Sequence, residues 1–458
     1  MSKGEKSYWI KSGSYSVLER VIGQIIGFGN MFLLLRAIST EEYGLWIQFL
    51  ILAAVIEVSR TGLIQNGLIR YLTTSKKEEI PKINTASLFN SFALTFFIIA
   101  LLLTITNPIV SYFYPGHPEL ETMFYYYGIT TIALLPFFQF NYILQANLDF
   151  RGFFWASLTY KGSLFIYILY HVWSGIKISV FDMSLFLIGA AFAASIVGYF
   201  FAKPYLNFSK KLDWKWVKEL FNFGKFTLGT NLSTIIYKFT DRSMLGTMVS
   251  LEAIAIYEVA IRITNLVDIP AISIAAVVFP QSAKNSLSQG KEGIRDMYER
   301  SVAAILGLII PAMIFIYLFA EIVVFILGKE KYLASVPLLR VTLLFALFVP
   351  FALQFGTILD SIGKPKINFR FVILGLILNI IFNYFFISSY GIMGAVWGTL
   401  LTYAVMFVLQ MSFFYKWYGI RPWRPFALIP WFYQNLYQIV LGFLNKNKNN
   451  PQEDILDN

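Results

Sequence analysis

Apolar residues in this chain come in runs far longer than one face of a soluble helix requires. Leu88–Ile105 and Val372–Ile387 contain no charged residue at all. Neither run alternates apolar and polar positions in segments of about ten, as outer-membrane barrel strands do. Continuous runs of roughly 20 apolar residues are membrane-spanning helices. Read against loop punctuation, the pattern predicts twelve of them, near 14–37, 43–72, 84–108, 120–146, 152–171, 181–203, 219–248, 252–283, 296–326, 334–361, 367–388 and 391–416.

Polar positions inside these helices recur at helical spacing. On the first, Ser16, Arg20, Gln24 and Gly27 follow steps of four, four and three. Glu57, Arg60 and Thr61 share a flank of the second. Asn231, Thr234, Lys238, Asp241 and Arg242 stripe the seventh, and Glu258, Arg262, Asn265 and Asp268 stripe the eighth. Charges within a bilayer are expensive and face a wet cavity or one another. Glu57–Arg60 and Glu258–Arg262 therefore have two readings, ion pairs that lock the packing or groups lining a cavity. Arg20 and Lys238 have fewer carboxylates at hand, which makes them the better candidates for an anion. Arg36, Glu321, Arg340 and Asp360 lie near helix ends, where snorkelling accounts for them. Gly23–Gly27 and Gly394–Gly398 have the spacing that permits close helix contact.

The chain repeats itself. Ser39-Thr-Glu-Glu-Tyr-Gly-Leu-Trp46 aligns with Ser250-Leu-Glu-Ala-Ile-Ala-Ile-Tyr257, and Glu57 falls on Asp268 at the same offset. Leu144-Gln-Ala-Asn-Leu-Asp-Phe-Arg151 aligns with Leu359-Asp-Ser-Ile-Gly-Lys-Pro-Lys366. Six helices per copy give both copies the same orientation, so the expected symmetry is a parallel pseudo-twofold along the membrane normal. The predicted organisation is a six-helix lobe over 1–206, a second over 207–416, and a cytoplasmic amphipathic helix with a polar tail over 417–458. Symmetry-related polar stripes then line one cavity between the lobes, which is a transporter's plan.

Composition agrees. The 458 residues are 57% hydrophobic and 14% charged, against about 45–50% and 25% in soluble domains. The net charge of +11 does not signal nucleic acid, because Lys and Arg cluster in alternate loops. Lys76, Lys77, Lys82, Lys203, Lys210, Lys211, Lys284, Lys291, Lys364 and Lys366 fall on one side, with little beyond Lys177, Lys329 and Lys331 opposite. This places both termini in the cytoplasm. The polar, basic stretch Met1–Lys11 lacks a signal-peptide core, so the first helix is expected to persist in the mature protein. There are no cysteines and only two histidines, His117 and His171, both in expected loops. No metal site, cofactor, phosphate loop or catalytic constellation is expected, and ATP hydrolysis within the chain is excluded. Any energy must come from an ion gradient, the membrane potential or the substrate's own gradient.

Three stretches carry a family resemblance: Leu34-Leu-Arg-Ala-Ile-Ser-Thr-Glu-Glu-Tyr-Gly-Leu-Trp46, Thr240-Asp-Arg-Ser-Met-Leu-Gly246 and Tyr390-Gly-Ile-Met-Gly-Ala-Val-Trp-Gly-Thr399. Over about residues 12–416 the chain resembles the Wzx-type flippases of O-antigen and capsule assembly. These form the polysaccharide-transporter branch of the multidrug/oligosaccharidyl-lipid/polysaccharide exporter superfamily. The resemblance implies an all-α integral membrane protein, a two-lobed V-shaped bundle working by alternating access. The implied cargo is an undecaprenyl-diphosphate-linked oligosaccharide, carried to the outer leaflet of a bacterial inner membrane, with other polysaccharide-assembly membrane proteins as partners. Arg20, Arg60, Lys238, Arg242 and Arg262 are the candidate contacts to the diphosphate. Glu57, Asp241, Glu258 and Asp268 are candidates for a coupling H+ or Na+ or for a salt-bridge gate, with Gln24, Asn231 and Asn265 as polar cavity wall. Three alternatives stay open at this stage. A cation-coupled multidrug exporter shares the fold but favours acidic cavity walls, and a peptidoglycan-precursor flippase is a close relative. A membrane polysaccharide polymerase or ligase needs a sizeable outer loop, and Val110–Glu119 and His171–Val180 are short.

Overall fold

The computed structural model describes residues 3–434, 437 and 438, without the side chains of 3–14, 16, 17, 226 and 230 and of most of 267–289. Each of the twelve predicted spans falls on helix over most of its length, with short breaks such as that at 347–348. The order is α1 Lys3–Ala37, α2 Thr40–Arg60, α3 Asn66–Thr74, α4 Ile80–Phe113, α5 Pro118–Ala146, α6 Phe150–Trp173, α7 Val180–Ala202, α8 Trp214–Met248 and α9 Leu251–Thr264. It continues with α10 Asp268–Leu318, α11 Ala320–Gly328, α12 Ser335–Ala346, α13 Val349–Ser361, α14 Pro365–Tyr418 and α15 Arg424–Ala427. Eight helices among the described residues are long and apolar enough to cross a membrane. Large apolar side chains stand outside, such as Phe96 at 77% exposure and Phe200 at 68%. Lipid, not water, is the medium that tolerates them.

Two long helices reverse within their length. At about 1.5 Å per residue, the 54 residues of α14 would reach well past two bilayer cores. Gly391 breaks it with φ 58° and ψ −133°, a conformation that needs glycine. The arms then fold back on each other, so that Cβ atoms at Gly394 and Gly398 would collide with Phe386 and Asn383. Asn379 Nδ2 donates to Thr399 Oγ1 at 3.2 Å between the arms. Gly290 interrupts α10 in the same way, with φ 58° and ψ −135°.

The matched stretches share local geometry. Ser39 caps α2, its hydroxyl accepting from Glu42 N at 3.1 Å, and Ser250 caps α9 by accepting from Ala253 N at 3.1 Å. In the second matched pair of turns, Leu148 (φ 59°) and Gly363 (φ 76°) occupy the same aligned position. The residue after each closes the same bond back to the helix, Asp149 N to Leu144 O at 2.9 Å and Lys364 N to Leu359 O at 2.8 Å.

The chain divides into two compact units, Met1–Ile256 with Leu327–Lys331, and Tyr257–Ile326 with Tyr332–Asn458. In the first, α5 packs along α7, α6 joins α1 and α7, and α2 lies against α8. That last contact is made backbone to backbone. A Cβ on Gly62, just past α2, would lie 2.7 Å from Leu228 Cα on α8, and one on Gly224 of α8 would overlap the Leu63 carbonyl; Gly44 of α2 meets the Leu251 carbonyl at the start of α9 as closely. A π-helical turn at Thr61–Gln65 sits at this crossing. Leu63, Ile64, Leu68, Trp216 and Leu220 close a core beside it.

In the second unit, α10 packs on α13, and α14 on α12 and α13. The segment after α14 is strapped to α10. Glu299, 2% exposed, accepts from Arg421 N at 3.2 Å and pairs with Arg424 Nε at 3.1 Å. Tyr433 Oη donates to Gly307 O at 2.6 Å, and Phe432 packs over the same glycine. Phe426, Trp431 and Tyr433 of the same segment stay exposed, so these contacts leave the segment's apolar side largely open. Beyond residue 434 the segment, except 437 and 438, lies outside the described residues.

The glycine pairs separate in role. Gly394–Gly398 makes a close contact as expected, whereas Gly23–Gly27 does not. Gly23 faces Lys161 Nζ, 3.2 Å from where a Cβ would sit, and Gly27 has nothing within 4 Å. Gly224→Ala is therefore expected to lower stability by about 1–3 kcal/mol through overpacking, while Gly27→Ala leaves it unchanged or slightly raised by better helix propensity. Thermal unfolding of the two variants in detergent checks this, and equal losses at both positions would contradict it.

Candidate functional site

A charged side chain inside a lipid-facing bundle is costly without partners among the helices, and the first unit shows how several find them. Arg60, 5% exposed, closes α2 just before the π turn. Its Nη2 donates to Thr95 Oγ1 on α4 at 2.9 Å and to the Thr131 carbonyl on α5 at 2.7 Å. Phe138 lies under the guanidinium at 5.6 Å. Glu57, one turn earlier, accepts from Tyr127 Oη at 3.0 Å. The two charges share a flank as predicted, yet no ion pair joins them among the described residues. Each is held by neutral groups on α4 and α5, Arg60 by a hydroxyl and a carbonyl and Glu57 by a phenol.

A further ion pair lies nearby. Lys161 Nζ on α6 meets Glu19 Oε1 on α1 at 2.7 Å, with the Glu19 side chain 11% and the Lys161 side chain 47% exposed. Lys161 also stands within electrostatic reach of Glu57. Sequence reasoning passed over both members of this pair. The signal was present: Lys161 is the single Lys, Arg, Asp or Glu between 152 and 171, at the middle of its helix. Arg20 and Gln24, on the same helix as Glu19, are exposed.

On α8, Lys238 is exposed, while Asp241 and Arg242 are each 7% exposed. Arg242 turns back on its own helix, its Nη1 donating to Lys238 O at 2.6 Å, with Phe239 at 5.3 Å. Asn231 packs against Gly62. In the second unit, Arg262 Nε pairs with Glu258 Oε1 at 2.6 Å, the carboxylate 6% and the arginine 32% exposed. Asn265 is exposed and follows directly. The Asp268 side chain lies outside the described residues. Glu321 and Arg340, expected to snorkel singly, pair with each other at 3.2 Å. No group of three metal-ligating side chains occurs among the described residues.

The structure thus brings together Glu19 with Lys161, Glu57 with Tyr127, and Glu258 with Arg262. It leaves Arg20 and Lys238 as exposed helix cations with no carboxylate at ion-pair distance among the described residues. Such a set has no nucleophile–base geometry and suits the handling of a charged solute.

Comparison with known proteins follows the same line. A solved lipid II flippase, MurJ in an inward closed conformation, superposes with TM-score 0.74 over 93% of this chain and 92% of its own, at 15% identity. An inward-facing multidrug MATE transporter superposes with TM-score 0.71 over 85% and 93%, at 16% identity. The fold is accordingly that of the membrane exporters that include flippases and multidrug transporters. The family model described as polysaccharide biosynthesis protein matches residues 33–337. The chain belongs to that family, as a multi-pass membrane transporter rather than an enzyme. It is 26% identical to the uncharacterised membrane protein MJ1068 of Methanocaldococcus jannaschii, over 91% of this chain and 85% of that protein. It is 22% identical to the lipopolysaccharide biosynthesis protein WzxC of Escherichia coli, over 93% and 86%.

The Glu19–Lys161 pair yields a direct test. Lys161→Met strands a largely buried carboxylate and is expected to lower stability by about 1–3 kcal/mol. The exchange Glu19→Lys with Lys161→Glu should recover most of that loss. Thermal unfolding of the single and exchanged variants reads this, and an exchanged variant no better than Lys161→Met would show that the pair is not what holds α1 to α6.

Proposed function

We propose that this protein is a flippase for a polyprenyl-diphosphate-linked oligosaccharide, with undecaprenyl as the bacterial carrier. It moves the cargo from the cytoplasmic to the outer leaflet of the inner membrane by alternating access, the halves 1–206 and 207–416 rocking against each other. The observation that carries the reading is that Arg20 and Lys238, on helices that the sequence pattern predicts to span the membrane, stand exposed with no carboxylate at ion-pair distance among the described residues, in a member of the polysaccharide biosynthesis family. A diphosphate is a dianionic head that must lose water to cross, and fixed cations replace that water. A carrier of cationic drugs would gain nothing from them.

In this reading Arg20 and Lys238 meet the diphosphate first. Arg262 joins when the anion competes with Glu258, so that the pair acts as a gate. Arg242 and Arg60, buried and hydrogen-bonded, set the electrostatic background. Glu57, Asp241, Glu258 and Asp268 supply the sites at which a proton or sodium ion couples. Gln24, Asn231 and Asn265 provide neutral polar wall for the sugars. The uneven placement of Lys and Arg keeps both termini cytoplasmic, where other polysaccharide-assembly proteins hand over the cargo.

The test is transport in proteoliposomes carrying a fluorescent diphosphate-linked oligosaccharide, with imposed proton, sodium and voltage gradients. Wild-type protein is expected to equalise or invert the leaflet distribution. An Arg20→Ala/Lys238→Ala double variant of unchanged thermal stability should lose at least about tenfold in rate, roughly one strong charge contact. Movement unaffected by the double variant, or gradient-driven efflux of a cationic dye in its place, would overturn the assignment.

A further inference from the structure

At one end of the first unit three connections converge, from α1 to α2, from α4 to α5 and from α8 to α9. They enclose a cavity of about 440 Å3, whose wall includes Glu41, Phe113, Tyr114, His117, Thr247 and Glu252 and contains no Lys or Arg. The volume lies within the roughly 300–1,000 Å3 usual for small-molecule sites. Carboxylates at a surface are common, and these alone would mean nothing.

Tyr114 is the informative residue. It is 5% exposed, yet no hydrogen bond to its hydroxyl is present among the described residues. The hydroxyl lies beside Gly246, 3.1 Å from where a Cβ would stand, and both residues line the cavity, so the group opens into it. The ring is packed while the hydroxyl faces the cavity, so it is a donor without a protein partner that a ligand acceptor can take up. Burial also pushes the phenol up from its ordinary value, which keeps it a neutral donor.

The remaining wall defines what the donor serves. Glu41 Oε1 is 3.4 Å from His117 Nε2, and the other ring nitrogen is 3.2 Å from Glu119 Oε1. Glu252 Oε1 accepts from Thr40 Oγ1 at 3.2 Å. Each lining carboxylate keeps an oxygen free for a further donor. Phe113, 44% exposed, stands edge-on to Tyr112 at 4.8 Å and presents an apolar face. Acceptors in pairs, one neutral donor and an exposed ring suit a ligand with several hydroxyls and an apolar side. The negative wall repels phosphate and uronate. The cavity far exceeds an ion, and no three metal-ligating groups converge there among the described residues.

We propose that this cavity binds a neutral or aminated sugar residue, Glu41 and Glu252 accepting from its hydroxyl or ammonium groups, Tyr114 donating to a sugar oxygen, and Phe113 covering the ring. Within the transport cycle it would take the saccharide end of the cargo, a placement that rests on the flippase reading. Binding itself does not.

The experiment measures saturable binding of methyl glycosides of glucose, galactose, mannose and N-acetylglucosamine, together with glucosamine, to the purified full-length protein by saturation-transfer NMR and calorimetry. Glucuronate is the acidic control. At least one neutral or amino sugar is expected to bind, with glucuronate at least tenfold weaker. Tyr114→Phe and Glu252→Gln should each weaken the bound sugar about three- to tenfold without altering thermal stability, and Glu252→Gln should narrow the gap to glucuronate. No saturable binding by any of the five sugars, or binding indifferent to both substitutions, overturns the proposal. If the sugar binds as described but lipid-linked oligosaccharide does not move in vesicles, the flippase reading falls and the sugar site stands.

Discussion

The contact on which the first unit depends is the approach of α2 to α8 at the distance of bare backbone. Gly62 and Gly224 each face a main-chain atom across this crossing, and Gly44 of α2 faces one at the start of α9. In lipid, where apolar side chains gain little by leaving the surroundings, such close packing supplies the attraction that water supplies in soluble proteins. It also fixes where everything on α2 points. Arg60 and Glu57 precede the π turn, and the extra residue in that turn sets their flank relative to α4 and α5.

The intramembrane charges fall into two physical classes. Some are satisfied by groups that cannot leave, such as the Thr131 carbonyl under Arg60 or the Tyr127 hydroxyl on Glu57. Others are held by opposite charges that a competing ion can replace, as in Glu258–Arg262 and Glu19–Lys161. The first kind positions helices in any state of the protein. The second kind can exchange its partner, a property that a switching element requires.

Much of this was legible in the chain because membrane solvent leaves strong marks. Helix positions follow from uninterrupted apolar runs, and even the shared turn at Leu148 and Gly363 can be aligned from sequence. Partner choice was not legible. The spacing of Glu57 and Arg60 suggested a pair, yet spacing says only that two residues share a face, and competition from α4 and α5 decides whom each meets. Glu19–Lys161 was missed for the complementary reason: its members lie 142 positions apart, beyond any periodicity. Gly23–Gly27 matched a packing motif whose facing helix does not approach at Gly27.

The strap over α10 has a bearing on biogenesis. Glu299 is buried beneath Arg421, 122 positions downstream, and beneath Arg424. At cytosolic elongation rates of about 5–20 residues per second, its helix waits on the order of ten seconds before the ribosome delivers those partners. Throughout that interval the carboxylate has to remain at the interface or be shielded by the insertion machinery. A chain whose synthesis stops before Arg421 lacks both of these partners for the acid.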